Sequence, residues 1–246
     1  MSELYEEYHL NCAFDDFGQT SFHGDKAIAA YPDALETLDF GCGNGYAVRR
    51  MREAGYSWHG LECSRAAFEQ HLNAPYFYLG DTKQFRDRQF DLVYSTEVLE
   101  HIPEPEVNWV ASELGRIAAK YLFFTISLRP SSQNNRFHCT LKPRAWWEER
   151  FVRHGFQVDR HIIAAYQRIS LKTTRQLQAK WAHLGPNAAA FACNPPFELN
   201  GESQFWYFAF RRIGVPATAT PKPTVPWHRR KIYPLVRRVL RMDRAA

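Results

Sequence analysis

The chain has 246 residues, 45% of them apolar and 15% aromatic, enough for one packed domain of ordinary size with additions. No apolar run approaches the roughly 20 residues needed to cross a bilayer, and five scattered cysteines without a C-x-x-C pair exclude a disulfide framework or zinc knuckle. The net charge of +5 is uneven: residues 221–246 hold eight Lys or Arg against one acid, leaving residues 1–220 at −2, which speaks against a body built to grip a long nucleic acid.

The cysteines suit reduced thiols, and Glu3, Glu6 and Glu7 stand where a leader would be basic and then apolar, so the expected compartment is cytoplasmic. Residues 1–24 are polar and aromatic (Tyr5, Tyr8, Phe14, Phe17, Phe22) without a clean period. They read equally as a cover over a site and as a surface-packed helix. Thr37–Phe40 is the first predicted strand, and Tyr46–Ala54 the helix after it. Between them Gly41, Gly43 and Gly45 alternate, with Asp39 two residues before the first. Such a turn lets the backbone approach a ligand and is expected to aim free N–H groups at it. Its D-x-G-x-G-x-G spacing differs from the dinucleotide fingerprint.

The second predicted strand, His59–Ser64, carries Glu62, 17 residues after Gly45. In doubly wound sheets an acid about 20 residues past the glycine turn accepts hydrogen bonds from a ribose. Tyr76–Leu79 is the third strand, followed by Asp81, and Phe90–Ser95 the fourth. Tyr121–Leu128 is the fifth, and Pro143–His154 a helix begun by its proline and stopped by Gly155. Phe156–Ile163 and Phe205–Arg211 are the last two predicted strands.

Taken in this order and spacing, the glycine turn, Glu62, Asp81 and the fourth strand resemble class I S-adenosylmethionine-dependent methyltransferases over about residues 36–160. The resemblance implies an α/β fold, a doubly wound, mostly parallel seven-stranded sheet with an antiparallel last strand. It implies S-adenosylmethionine as cofactor, bound by Asp39, Gly41, Cys42, Gly43, Gly45, Glu62, Asp81, Ser95 and Thr96, with Glu62 on the ribose and Asp81 near the adenine amino group. Asp39 is expected to steady the turn or to reach the cofactor's ammonium.

Glu97, Glu100 and His101 stand at i, i+3 and i+4 after the fourth strand, on one face if the segment is helical. Two carboxylates and an imidazole suit a divalent ion: Mg or Mn by their oxygens, Zn, Co or Fe by the added nitrogen. His138 follows in the polar loop 129–140. Glu-x-x-Glu-His with a later His resembles the metal-using small-RNA 2′-O-methyltransferases, and in part the ubiquinone-pathway O-methyltransferases. Members with no known metal carry a similar stretch, so a metal site and a plain pocket border both stand. His101 and His138 are the candidate acceptors of a hydroxyl proton.

Residues 1–213 form the expected catalytic domain, with residues 164–204 inserted as a lid. Residues 214–226 are a Pro/Thr/Ala linker, and residues 227–246 a basic amphipathic tail broken at Pro234. Such a tail suits the inner face of a membrane or a protein partner. The leading expectation is an O-methyltransferase acting on a vicinal-diol hydroxyl of a sugar (a glycan or glycolipid precursor) or of a small molecule. Trp146, Trp147 and the lid residues Trp181, Phe191 and Phe197 would stack on the acceptor. An RNA 2′-O-methyltransferase and a non-catalytic cofactor-binding subunit are the alternatives. The mildly acidic body disfavours the first and the intact glycine turn the second.

Overall fold

The computed structural model describes residues 23–71, 74–128, 138–166, 197–199, 202–204 and 207–221. The expected lead-in, most of the lid and the tail lie outside these residues. Five strands run parallel: β1 (Glu36–Phe40), β2 (Ser57–Glu62), β3 (Phe77–Leu79), β4 (Phe90–Thr96) and β5 (Ala118–Thr125). β6 (Phe156–Val158) closes one edge. β7 (Phe197–Leu199) and β8 (Glu202–Gln204) form a separate hairpin, and β9 (Tyr207–Arg212) is antiparallel to both β5 and β6. The sheet order is β3-β2-β1-β4-β5-β9-β6. This is the mostly parallel, seven-stranded Rossmann-like methyltransferase fold. Strand order reverses between β1 and β4, so the crevice beyond their carboxyl ends is where such sheets bind ligands.

The central strands are buried on both faces because helices cover both. On one face α4 (Glu104–Ile117) buries Val107, Val110, Ala111 and Leu114, a 3.6-residue stripe. Beside it α5 (Arg144–Arg153) packs Trp147 and Phe151 against Phe124, Phe208 and Phe210. On the other face lie α1 (Gly24–Ala30), α2 (Tyr46–Glu53) and the helical residues 160–166. They bury Ile28, Tyr31, Val48, Met51, Ile162 and Tyr166 against Leu92, Tyr94, Tyr121 and Phe123. α3 (Arg65–His71) follows β2. Among the described residues no helix is long and apolar enough to cross a membrane.

The expected strand over Phe156–Ile163 is only three residues long. The Asp159 N–H pairs with Ala209 O, but the Asp159 carbonyl already accepts from Ile162 and Ile163 as a helix begins. Tyr31 Oη donates to the Asp159 carboxylate at 3.0 Å, and Arg211 holds its other oxygen, so this corner ties β6, β9 and the segment after α1 together. Ile162 and Ile163 are buried from a helix, not from a strand. A short apolar run does not separate the two possibilities.

Candidate active site

The turn after β1 is built by backbone conformation. Gly41 and Gly43 have φ of 74° and 53°, the left-handed region that favours glycine. A Cβ on Gly41 would lie 2.7 Å from Val98 Cγ2, so the loop after β4 packs where that side chain would be. A Cβ on Gly43 would meet nothing within 4 Å: its missing side chain leaves open space above the turn.

The expectation of free N–H groups aimed at a ligand is not what the turn offers. Gly41 and Cys42 donate to Leu61 O at 2.9 and 3.1 Å, and Gly45 donates to Cys42 O at 2.8 Å. Gly43 donates to Glu62 Oε2 at 2.8 Å, and Tyr46 to Asn44 Oδ1 at 3.0 Å. The end of β2 pins the turn, and the glycines supply clearance.

Glu62 is buried, and its carboxylate also accepts from Cys63 N at 2.8 Å and Ser64 N at 2.9 Å. A carboxylate offers about four acceptor sites, so one remains for a ribose hydroxyl. Asp39 is buried in the facing strand; burial first, and then the Glu62 carboxylate, raise its carboxyl well above the usual range. A buried acid in that state gains most from a cation brought beside it. The Cys42 thiol is likewise pushed up by burial and by Asp39 and Glu62, which makes it inert.

Asp81 is exposed beyond β3 and caps a short 3₁₀ turn, accepting from Lys83 N at 2.9 Å. The Ser95 Oγ is buried and donates to Phe40 O at 2.8 Å, tying β4 to β1. Thr96 closes β4, half-exposed at the carboxyl edge.

Glu97, Glu100 and His101 do not share a helix face. Glu97 has φ of 55°, its N–H goes to Thr125 O at 3.1 Å, and Leu99–His101 is a single 3₁₀ turn. α4 starts only at Glu104, because a residue preceding proline, here Ile102, is disfavoured in helical geometry. The cluster forms in another way. Thr140 donates from N to Glu100 O at 3.0 Å and from Oγ1 to Ile102 O at 2.6 Å. That docking carries His138 to His101, ring centroids 4.9 Å apart and nearly perpendicular.

Candidate ligand atoms of Glu100, His101 and His138 all lie within 4.8 Å of one another; Glu97 is outside this group. Glu100 is fully buried, with Oε1 accepting from Ser127 N at 2.9 Å and Oε2 without a partner. Burial, and then the neighbouring Glu97, push its carboxyl well above the usual range. Oε2 receives no N–H donor among the described residues, and with Glu97 close by and two imidazoles within ligand distance the group fits a site that takes a cation.

Trp147 is not a stacking surface: its side chain is fully buried in the core. Trp146 is half-buried, with Arg150 over its ring at 3.2 Å. Val98, Ser127 and Thr140 shape the site and were not singled out in the sequence. Each acts on a residue distant in the chain, so no local motif marks them. A cleft of about 250 Å³ involving Arg116, His154 and Arg212 opens at the opposite, amino edge of the sheet. Arg116 is committed there to Glu113 and Asp87, and Arg212 to backbone carbonyls, so that cleft is framed by structural contacts.

A strand–glycine turn–helix followed by an acid at the end of β2 defines a nucleotide-binding methyltransferase fold, and the family described as "Methyltransferase domain" matches residues 24–185. More than half of the chain is covered, and the chain belongs to that family. It is 32% identical over 140 residues to the Oryza sativa subsp. japonica protein named "Probable tocopherol O-methyltransferase, chloroplastic", a match over 45% of this chain and 38% of that one. The chain therefore matches well under half the length of that relative. A chain of the Haloferax volcanii complex of the Trm112 methyltransferase activator with a methyltransferase superposes with a TM-score of 0.50 at 19% identity, over 64% of this chain and 78% of that one. The 4+2 cyclase SpnF superposes with a TM-score of 0.52 at 15% identity, over 86% and 94%. These likenesses speak for the fold alone; a cyclase among them underlines that the reaction must be argued from the site.

Proposed function

We propose that the protein is an S-adenosylmethionine-dependent O-methyltransferase whose acceptor hydroxyl is activated at Glu100, His101 and His138. The observation that carries the donor is the Gly43–Glu62 pair: an open cradle over a turn that its own ribose-binding acid holds in place. When bound, the cofactor supplies a methyl group on a cationic sulfur for in-line transfer to oxygen. Asp39 would balance the cofactor's ammonium, Glu62 its ribose hydroxyls and Asp81 the adenine amino group.

Glu100, His101 and His138 would hold a divalent ion, which supplies charge that lowers the pKa of a coordinated hydroxyl. The two imidazoles stand at the carboxyl edge; one whose lone pair is not on the ion could accept the hydroxyl proton, and without the ion either could. Two adjacent oxygens on the acceptor would match such a site, so a vicinal diol on a sugar or small molecule is the acceptor class proposed. The name of the 32%-identical relative, an O-methyltransferase, supports oxygen over nitrogen. The basic residues 227–246 would hold the enzyme at an anionic membrane surface, near a lipid-linked saccharide.

Calorimetry with S-adenosylhomocysteine tests the donor site; no binding refutes the reading. A panel of diol, mono-hydroxyl, amine and RNA 3′-end acceptors, each with and without chelator, tests the rest. Chelator-insensitive methylation of an amine refutes both metal and diol, and chelator-sensitive methylation of RNA ends replaces the acceptor class.

A further inference from the structure

A second polar cluster lies on the α1 face of the same edge, outside every residue assigned above. Lys26 Nζ is 2.6 Å from Tyr207 Oη and 3.0 Å from His23 Nδ1, and 4.9 Å from the centroid of the Tyr207 ring. His23 N donates to Tyr94 Oη at 3.1 Å, and Tyr166 Oη donates to Lys26 O at 2.6 Å. Tyr94 lies two residues before the end of β4, and Tyr207 opens β9 opposite Thr125, the last residue of β5. Thr125 O in turn receives the Glu97 N–H. The cluster thus sits at the carboxyl ends of the same strands that carry the candidate active site.

The chemistry of this cluster is lopsided. An ammonium has three N–H donors and no acceptor, so His23 Nδ1 must be the unprotonated nitrogen, and the ring proton is on Nε2. The two partners of Lys26 are neutral, and among the described residues no carboxylate is within ion-pair distance of it. The adjacent Asp25 spends Oδ1 on the Lys26 backbone N–H at 2.8 Å. A half-buried cation lacking a counter-charge is costly. Here one N–H of the ammonium has no partner among the described residues, while His23 Nε2–H points away from it on the far side of the ring.

We infer that Lys26, held in place by His23 Nδ1 and Tyr207 Oη, is an anion-recognition point that takes a carboxylate or phosphate oxygen at the methyl-transfer edge. The anion has two possible sources: the amino-acid carboxylate of the methyl donor, or an acidic group on the acceptor. The inference deepens the proposed function and rests on it for these sources. The anion site itself stands on the geometry of Lys26.

Full-length wild type, Lys26→Met and Lys26→Arg are compared, with Lys26→Gln in reserve should the methionine variant fail to fold. Calorimetry is run with S-adenosylhomocysteine and with 5′-methylthioadenosine, which lacks the carboxylate. The imidazole resonances of His23 are followed by NMR as acetate or inorganic phosphate is added. Tenfold or greater loss of S-adenosylhomocysteine affinity in Lys26→Met, restored in Lys26→Arg and absent for methylthioadenosine, assigns the site to the donor's carboxylate. Unchanged nucleoside affinity, with saturable His23 shifts on adding acetate or phosphate that vanish in Lys26→Met, assigns it to an acidic acceptor. If wild type binds neither nucleoside, the methyl-transfer reading fails, while those His23 shifts still support the anion site. Nucleoside affinities and His23 responses that are the same in wild type and Lys26→Met overturn the inference.

Discussion

Glu100→Gln should make the protein more stable and less active. Glu100 is buried; one oxygen accepts from Ser127 N at 2.9 Å and the other has no partner. Burial and Glu97 raise its carboxyl, so its ionised form is disfavoured in the fold. Glutamine keeps a carbonyl for Ser127 and puts an NH₂ donor beside Glu97. Removing an unsatisfied buried acceptor is worth about 1–3 kcal/mol. With about 2 kcal/mol, and about 2–4 °C per kcal/mol at this size, the variant should melt about 4–8 °C above wild type without metal. Adding Mn²⁺ at a hundredfold excess over its Kd should stabilise only the wild type, by about 2.7 kcal/mol, so the ranking reverses. Scanning fluorimetry with chelator and with Mn²⁺ reads both halves, and a methyl-transfer assay should show a loss of about tenfold or more. A variant that melts lower, ignores Mn²⁺ as wild type does and methylates normally would refute the reasoning. Glu100 would then be only a clamp on Ser127.

Gly41→Ala should cost about 1–3 kcal/mol, because the new methyl collides with Val98. Gly43→Ala should cost about 1–2 kcal/mol, for its left-handed backbone alone, yet weaken S-adenosylhomocysteine more; urea melts and calorimetry separate the two. Glu62→Ala strands three backbone N–H groups, so it should lose about 1–3 kcal/mol of stability along with cofactor affinity. Glu62→Ala with wild-type stability and affinity would contradict that. Burial and Lys26 hold the His23 imidazole well below its usual value, so the unfolded chain takes up a proton that the folded chain refuses. Stability should fall as pH drops below about 6.5, and His23→Gln should flatten that slope in pH-dependent urea titrations. Deleting residues 222–246 should leave melting unchanged and reduce sedimentation with anionic liposomes; equal sedimentation would exclude the membrane role.

What the sequence disclosed follows from how local each signal is. The glycine turn, the order of the first five strands and the acid closing β2 are written within a few residues of one another, and the observed elements match them to within a few positions. The readings that failed depended on something elsewhere. A helix through Glu97–His101 fitted the charge spacing but ignored Pro103, whose restriction of Ile102 holds the helix start at Glu104. Trp147 was expected to stack on the acceptor as an aromatic ring, yet the α5 stripe turns it into the core with Phe151.

Of the two polar clusters at the carboxyl edge, the sequence named the members of the first but not the contacts that assemble it, and it marked the second not at all. His138 reaches His101 only through the Thr140 contacts, and Lys26 reaches Tyr207 across 181 residues of chain. Among the described residues each cluster holds a group left uncompensated: a Glu100 oxygen without a donor, and a Lys26 ammonium whose two side-chain partners carry no negative charge. Their signs are opposite, and they flank the ends of β4 and β5 from opposite faces of the sheet. A core selected for stability alone would remove both. A cation bound on one side and an anion bound on the other would compensate both.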